Sequence, residues 1–311
     1  GMLMSGIDRK DLKGVFAPIP TPLGEDGEVS LSAVRGNMER WASSGLAGVV
    51  VFGSNGEAPY LSWDEKVRLI EAVIQANAGR RLVIAGTGQE TTRDTIRLTQ
   101  KAAELGAQAA LVLPPHFYKN AMTNAVLAAH YRAVADESPI PVIIYNMPGN
   151  TGLNLGSELV AELSNHPNIA GLKDSSGNIV QIAEIVAMAR EGFAVFAGSG
   201  SYLLPTLAVG GVGATAAVSN VFPDECAAVI RLFDQGDVRG ARELQLKLME
   251  VNRAVTSRWG VPGLKAAMDI IGLYGGPPRR PMLPLGEAER QELARIIGRT
   301  GFLRRKGCAR E

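Results

Sequence analysis

Short, almost wholly apolar runs recur along the chain at fairly even spacing, at positions 14–18, 48–52, 82–85, 109–113, 142–145, 169–172, 194–197 and 213–218. Each is too short for a core helix. Unbroken apolarity over so few residues means burial on both faces, as in the strands of a parallel sheet. Between the runs lie stretches of helical period. Ser62-Trp63-Asp64-Glu65 is a capping-box pattern ahead of Val67, Leu69, Ile70 and Val73. Thr92–Leu105 repeats Ile96, Leu98, Ala102 and Leu105 and stops at Gly106, and 178–190 repeats Ile179, Ile182, Ile185 and Val186. Eight strands alternating with helices predict an α/β fold with a parallel sheet.

Such a sheet is either open and doubly wound or closed into a barrel. The open form often carries a glycine-rich dinucleotide fingerprint after its first strand. Here the first strand runs into Ala17-Pro18-Ile19-Pro20-Thr21-Pro22 instead. The count of eight favours a (β/α)₈ TIM barrel. The expected division is a barrel core over 1–222, then 223–311. The second part holds additional C-terminal helices packed on the barrel in the same structural unit, and a basic tail at Arg304, Arg305 and Lys306.

Composition narrows the partners. The 311 residues are 46% hydrophobic and 20% charged, with a formal net charge of +1. That is an ordinary globular balance, without the basic footprint of a nucleic-acid binder. No apolar run reaches the ~18 residues a membrane span needs. Gly1 ahead of Met2 reads as a remnant of tag removal, and no secretory signal core follows it. Cys226 and Cys308 lie far apart, so a disulfide is not expected and a reducing cytoplasm is the expected setting.

In a barrel, reacting groups sit at the C-terminal ends of the strands. Those ends read Gly53-Ser54-Asn55-Gly56-Glu57, Pro114-Pro115-His116-Phe117-Tyr118, Tyr145 to Gly152, Lys173-Asp174-Ser175-Ser176 and Gly198-Ser199-Gly200-Ser201. Lys173 holds the last inward position of a buried strand. Burial disfavours an ammonium, and a neutral amine is what attack on a ketone requires. The competing reading is a lysine that reaches solvent or pairs with Asp174. Tyr145 ends the preceding strand and is either a proton shuttle beside the amine or a rim-packing residue. The turn at Ser54 and Asn55 offers N–H groups to a carboxylate, or is simple Asn-Gly turn chemistry. His116, His130 and His166 show no ligand spacing, and His130 and His166 are expected at the surface or at helix ends. With no metal site, phosphate loop or cofactor motif, an enzyme here must make its own electron sink, which a lysine imine does.

Gly53-Ser54-Asn55-Gly56-Glu57, Tyr145-Asn146-x-Pro148-x-x-Thr151-Gly152 and Gly171-Leu172-Lys173-Asp174-Ser175 stand in the order and spacing of the dihydrodipicolinate synthase / N-acetylneuraminate lyase family. The resemblance spans about Gly14 to Leu303. Within that family the motifs are most similar to those of the 4-hydroxy-2-oxoglutarate aldolases of animal mitochondria. Ser54-Asn55 replaces the synthases' usual Thr-Thr, and Asn150 stands where they usually carry an arginine for the aldehyde's carboxylate. The stretches Trp259 to Lys265 and Tyr274 to Pro277 match the aldolases as well. The chain departs from them at Pro115-His116-Phe117-Tyr118 and at Ser176, where a glycine is usual.

The resemblance implies a class I, Schiff-base lyase without cofactor or metal. Lys173 forms the imine. Tyr145, linked through Ser54 to Tyr118, moves the proton. The N–H groups of Ser54 and Asn55 hold the substrate's carboxylate. Asn150, Ser175 and Ser199 are further candidate substrate contacts. It implies a small 2-oxo acid substrate built from pyruvate and an aldehyde acid, best matched by 4-hydroxy-2-oxoglutarate. It also implies a homotetramer of paired dimers, in which Tyr118 serves a neighbouring subunit in many relatives. The alternatives are a dihydrodipicolinate synthase condensing pyruvate with aspartate semialdehyde and, from a different class, a non-catalytic barrel that binds pyruvate-like ligands.

Overall fold

Eight parallel strands close into a barrel, each hydrogen-bonded to its neighbours in chain order and the last returning to the first. The computed structural model describes residues 9–303. Gly1, the basic cluster at Arg304, Arg305 and Lys306, and Cys308 lie outside the described residues. The strands are β1 Gly14–Pro18, β2 Gly48–Val51, β3 Leu82–Gly86, β4 Ala109–Val112, β5 Val142–Asn146, β6 Ile169–Asp174, β7 Ala194–Ala197 and β8 Gly213–Thr215. The expected two-faced burial is present. Phe16, Val50, Ile84, Leu111, Ile143, Tyr145 and Phe196 fill the barrel, while alternate residues pack outward beneath the helices. Phe16 and Phe196 meet edge to face at 5.7 Å inside it. At the seam Gly213 faces Gly14 so closely that a Cβ would lie 1.9 Å from the Gly14 carbonyl oxygen, so only glycine fits.

The helices are α1 Leu31–Ala42, α2 Trp63–Asn77, α3 Thr92–Leu105, α4 Asn124–Glu137, α5 Pro148–Thr151, α6 Ser157–Leu163, α7 Ile179–Met188, α8 Leu203–Ala208, α9 Pro223–Asp234, α10 Val238–Arg253, α11 Gly260–Ile270 and α12 Glu287–Arg299. The Ser62 capping box is formed: its hydroxyl accepts from Glu65 N at 3.2 Å, and Glu65 accepts from Ser62 N at 3.0 Å. Asn178 caps α7 by a single bond, its Oδ1 accepting from Gln181 N at 3.1 Å. The helix after β8, α9, packs against β1. The eighth β/α unit therefore extends to Asp234 rather than ending at 222. The outer core continues without a break into the last helices through Leu248, Val251, Leu264, Leu293 and Ile296. Among the described residues no helix is long and apolar enough to cross a membrane.

Of the strand ends that differ from the sequence pattern, two do so for backbone reasons. β2 stops at Val51 because Phe52 turns left-handed, with φ 64°. The apolar run after β8 leaves the sheet at Thr215 and winds into a 3-10 turn over Ala217–Asn220.

Candidate active site

The register of β5 against β6 places Tyr145 directly beside Lys173, and that of β6 against β7 places Lys173 beside Phe196. All three point into the barrel at its C-terminal mouth. Lys173 is 3% exposed and Tyr145 4%. The Lys173 Nζ lies 4.2 Å from the centre of the Tyr145 ring, a cation–π distance. Asp174, the next residue, faces the opposite side of the sheet. Its carboxylate accepts from Ser176 N at 2.9 Å, Ser176 Oγ at 2.5 Å and Asn146 Nδ2 at 3.2 Å. Strand alternation thus rules out the Lys173–Asp174 pair. Among the described residues no carboxylate lies within ion-pair distance of Lys173. Ser176, the departure from glycine, serves as the cap of Asp174.

Tyr145 Oη and Ser54 Oγ are 2.8 Å apart, and Asn150 Nδ2 stands 3.5 Å from the same Ser54 oxygen. Ser54 opens a 3-10 turn over Ser54–Gly56. The N–H groups that open such a turn have no partner inside it. Those of Ser54 and Asn55 donate to no acceptor among the described residues. The turn is bracketed by two left-handed non-glycine residues, Phe52 at φ 64° and Glu57 at φ 56°. Such conformations cost about 1–3 kcal/mol each and persist only where the surroundings hold them. On one side Gly86 presses on Phe52, since a Cβ at Gly86 would stand 2.0 Å from the Phe52 oxygen.

On the other side the hold comes from the C-terminal part of the chain. The Glu57 carboxylate is fully buried and pairs with the buried Lys265 of α11, Oε2 to Nζ 2.7 Å. The same Nζ donates to the Thr21 and Pro277 carbonyl oxygens at 2.8 and 3.0 Å. Thr21 Oγ1 donates to Gly56 O at 2.7 Å, and Arg279 N donates to Glu57 Oε1 at 2.7 Å. The Arg279 guanidinium then forks onto Glu65 at 2.8 and 2.7 Å, which holds the Glu65 carboxyl down to about 2. Burial pulls the Lys265 ammonium below its ordinary pKa, and Glu57 opposes that shift.

The other candidates fall in two groups. Ser175 stands beside the site, its N–H bonded to Asn146 O at 2.8 Å. Ser199 is committed elsewhere, accepting from Asn252 Nδ2 at 3.0 Å and capping the turn at Ser201. Tyr118 does not reach Ser54 within this chain. It is 72% exposed and touches Phe117 edge to face. One expectation is corrected outright: His130 is buried. Its place among Leu127, Tyr131 and Val134 on the inner face of α4 carries it there. Its Nδ1 lies 2.8 Å from Thr92 Oγ1 while Nε2 has no partner, and burial pulls its pKa down to about 4. His166 sits at a helix end as expected, bonded to Asp136 at 2.7 Å. Among the described residues no group of three or more His, Cys, Asp or Glu is placed to hold a metal.

A cavity of about 570 Å³ opens beside the hydroxyl pair, lined by Ser54, Tyr145, Asn150, Glu90 and Lys66 among others. Glu90 is occupied by the main-chain N–H groups of His116 and Phe117, at 2.8–3.1 Å. Lys66 is only 8% exposed, and its ammonium makes no hydrogen bond or ion pair with a described residue. Asn150 itself brings no positive charge to this cavity. Lys66 brings one to the same cavity from α2, and its helical pattern alone gave no sign of it.

The model of the dihydrodipicolinate synthetase family matches residues 11–300. A probable mitochondrial 4-hydroxy-2-oxoglutarate aldolase of Emericella nidulans is 37% identical, over 96% of this chain and 98% of its own length. A 4-hydroxy-tetrahydrodipicolinate synthase of Exiguobacterium is 36% identical, over 90% of this chain and 95% of its own. The crystal structure of YagE, a prophage protein of E. coli K12 in complex with pyruvate, superposes with a TM-score of 0.88 at 26% identity, over 93% and 99% of the two chains.

Proposed function

The chain belongs to the dihydrodipicolinate synthetase family, and we propose that within it the protein is a Schiff-base aldolase that cleaves 4-hydroxy-2-oxoglutarate to pyruvate and glyoxylate. The observation that carries the chemistry is the Ser54–Tyr145 hydroxyl pair standing over a buried lysine with no carboxylate partner. The amine of Lys173 attacks the C2 ketone, and loss of water gives a protonated imine. Tyr145, held by the Ser54 hydroxyl, gives its phenol proton to the departing water, then takes the C4 hydroxyl proton and returns it to C3. The C3–C4 bond then breaks, its electron pair moves into the imine to leave an enamine, and glyoxylate departs. Protonation at C3 and hydrolysis release pyruvate and restore Lys173. The free N–H groups of Ser54 and Asn55 suit the carboxylate next to the imine carbon. A homotetramer and a role for Tyr118 across a subunit interface belong to this reading, and the exposure of Tyr118 supports them.

Asn150 favours the aldolase. An arginine holds a carboxylate through charge-assisted bonds worth about 1.5–3 kcal/mol, against about 1 for a neutral amide. Lys66 favours the second reading, condensation of pyruvate with aspartate semialdehyde, because it supplies a cation to the cavity from another helix. The deciding measurement is kcat/KM for both reactions on one preparation. Cleavage is expected to exceed condensation, and the reverse order overturns the assignment in favour of the synthase.

A further inference from the structure

We infer that the buried Glu57–Lys265 pair is a positioning device for the turn at Ser54 and Asn55, so that the C-terminal helix α11 sets the protein's grip on the carboxylate of its 2-oxo acid. This rests on the reading of Ser54 and Asn55 given above. The turn has no long element to stiffen it. Its two flanking residues, Phe52 and Glu57, adopt left-handed backbone that neither prefers. The bonds that hold it come from outside: Thr21 to Gly56 O, Arg279 N to Glu57 Oε1, and Lys265 to Glu57 Oε2. Lys265 is the hub, because its Nζ also donates to the Thr21 and Pro277 oxygens. Both charged groups are sealed from solvent, at 1% and 0% side-chain exposure. Neither is hydrogen-bonded or ion-paired to Lys173 or Tyr145, and the bonds that link them toward the site run through the turn. Removing one member leaves the other buried without its counter-charge, a strongly destabilising condition that favours local rearrangement around it. The pair is one of the ties that hold Glu57 in its left-handed backbone beside Gly56, so losing it loosens the end of the turn.

A general loss of structure and a loss of positioning separate by ligand. Pyruvate has a carboxylate for the turn to hold, and acetone does not, yet both ketones form an imine with an active lysine. Borohydride labelling of Lys173 is measured by mass spectrometry against the concentration of each ketone, in Lys265→Met and in the unchanged protein. The expected result is a half-labelling concentration for pyruvate raised at least ~10-fold, with that for acetone changed less than ~2-fold. Thr21→Val removes the hydroxyl bond to Gly56 with little change of shape. It is expected to show the same selective loss in smaller measure, and serves if Lys265→Met does not fold. Equal losses for both ketones, or no change for either, overturn the inference. Absence of labelling in the unchanged protein instead overturns the Schiff-base reading itself.

Discussion

Tyr145 Oη lies 2.8 Å from Ser54 Oγ, although the residues are separated by 91 positions in the chain. The ring of Tyr145 packs in the barrel interior, while its hydroxyl is the end that meets the cavity. Tyr145→Phe therefore deletes the proton path and keeps the packing. General acid–base groups contribute about 10²–10⁴-fold. The variant is expected to lose at least ~10² in kcat for cleavage, with its thermal midpoint little changed. A kcat within a few-fold of the original makes Tyr145 a packing residue only.

Lys173 is the second case. Incubation with pyruvate and sodium borohydride is expected to add one reduced pyruvyl group, located to Lys173 by peptide mass spectrometry. Lys173→Arg is expected to abolish it, since a guanidinium stays protonated. Label on Lys66 or Lys265 would be the outcome that sinks the assignment.

The imine is a sufficient electron sink, so activity is expected to survive prolonged chelation. Loss of rate on chelation, restored by a divalent metal, counts against the mechanism.

His130 predicts a pH dependence of stability. Its pKa is drawn from 6.5 to about 4 in the fold because burial disfavours the charged ring. The unfolded chain takes up a proton first as pH falls. The stabilisation is therefore whole above about pH 6.5 and is lost progressively toward pH 4. Its full size is roughly 3 kcal/mol at ~1.4 kcal/mol per unit. Thermal midpoints taken between neutral pH and the acid side of this window should fall in the original protein and fall less in His130→Gln. Parallel curves for the two proteins would show that His130 carries no such dependence.

Much of the barrel was legible because parallel strands bury both faces and leave an unbroken apolar signature. The reading of 14–18 and 194–197 agrees with β1 and β7 to the residue. It stopped short on β6, where the polar Lys173 and Asp174 continue the strand. Lys173 and Tyr145 were readable as neighbours because equal depth on adjacent strands is a local, periodic property. The Glu57–Lys265 pair was not, although each residue lies in a stretch that reads as family motif. Their meeting depends on where α11 settles on the barrel, which no local period encodes. The burial of His130 was within reach, since Leu127, Tyr131 and Val134 mark its face of α4.

The closing of β1 on β8 has a consequence for synthesis. Val15, Phe16 and Ala17 leave the ribosome early, but the strand that covers one edge of β1 includes Gly213 to Thr215 and is made last of the eight. Throughout that interval the nascent chain shows an apolar strand with an unsatisfied edge, the feature most prone to pairing with another chain. The edge of β1 that pairs with β8 stays open until residues 213–215 are made, and chaperone demand is expected to track the time taken to translate that span.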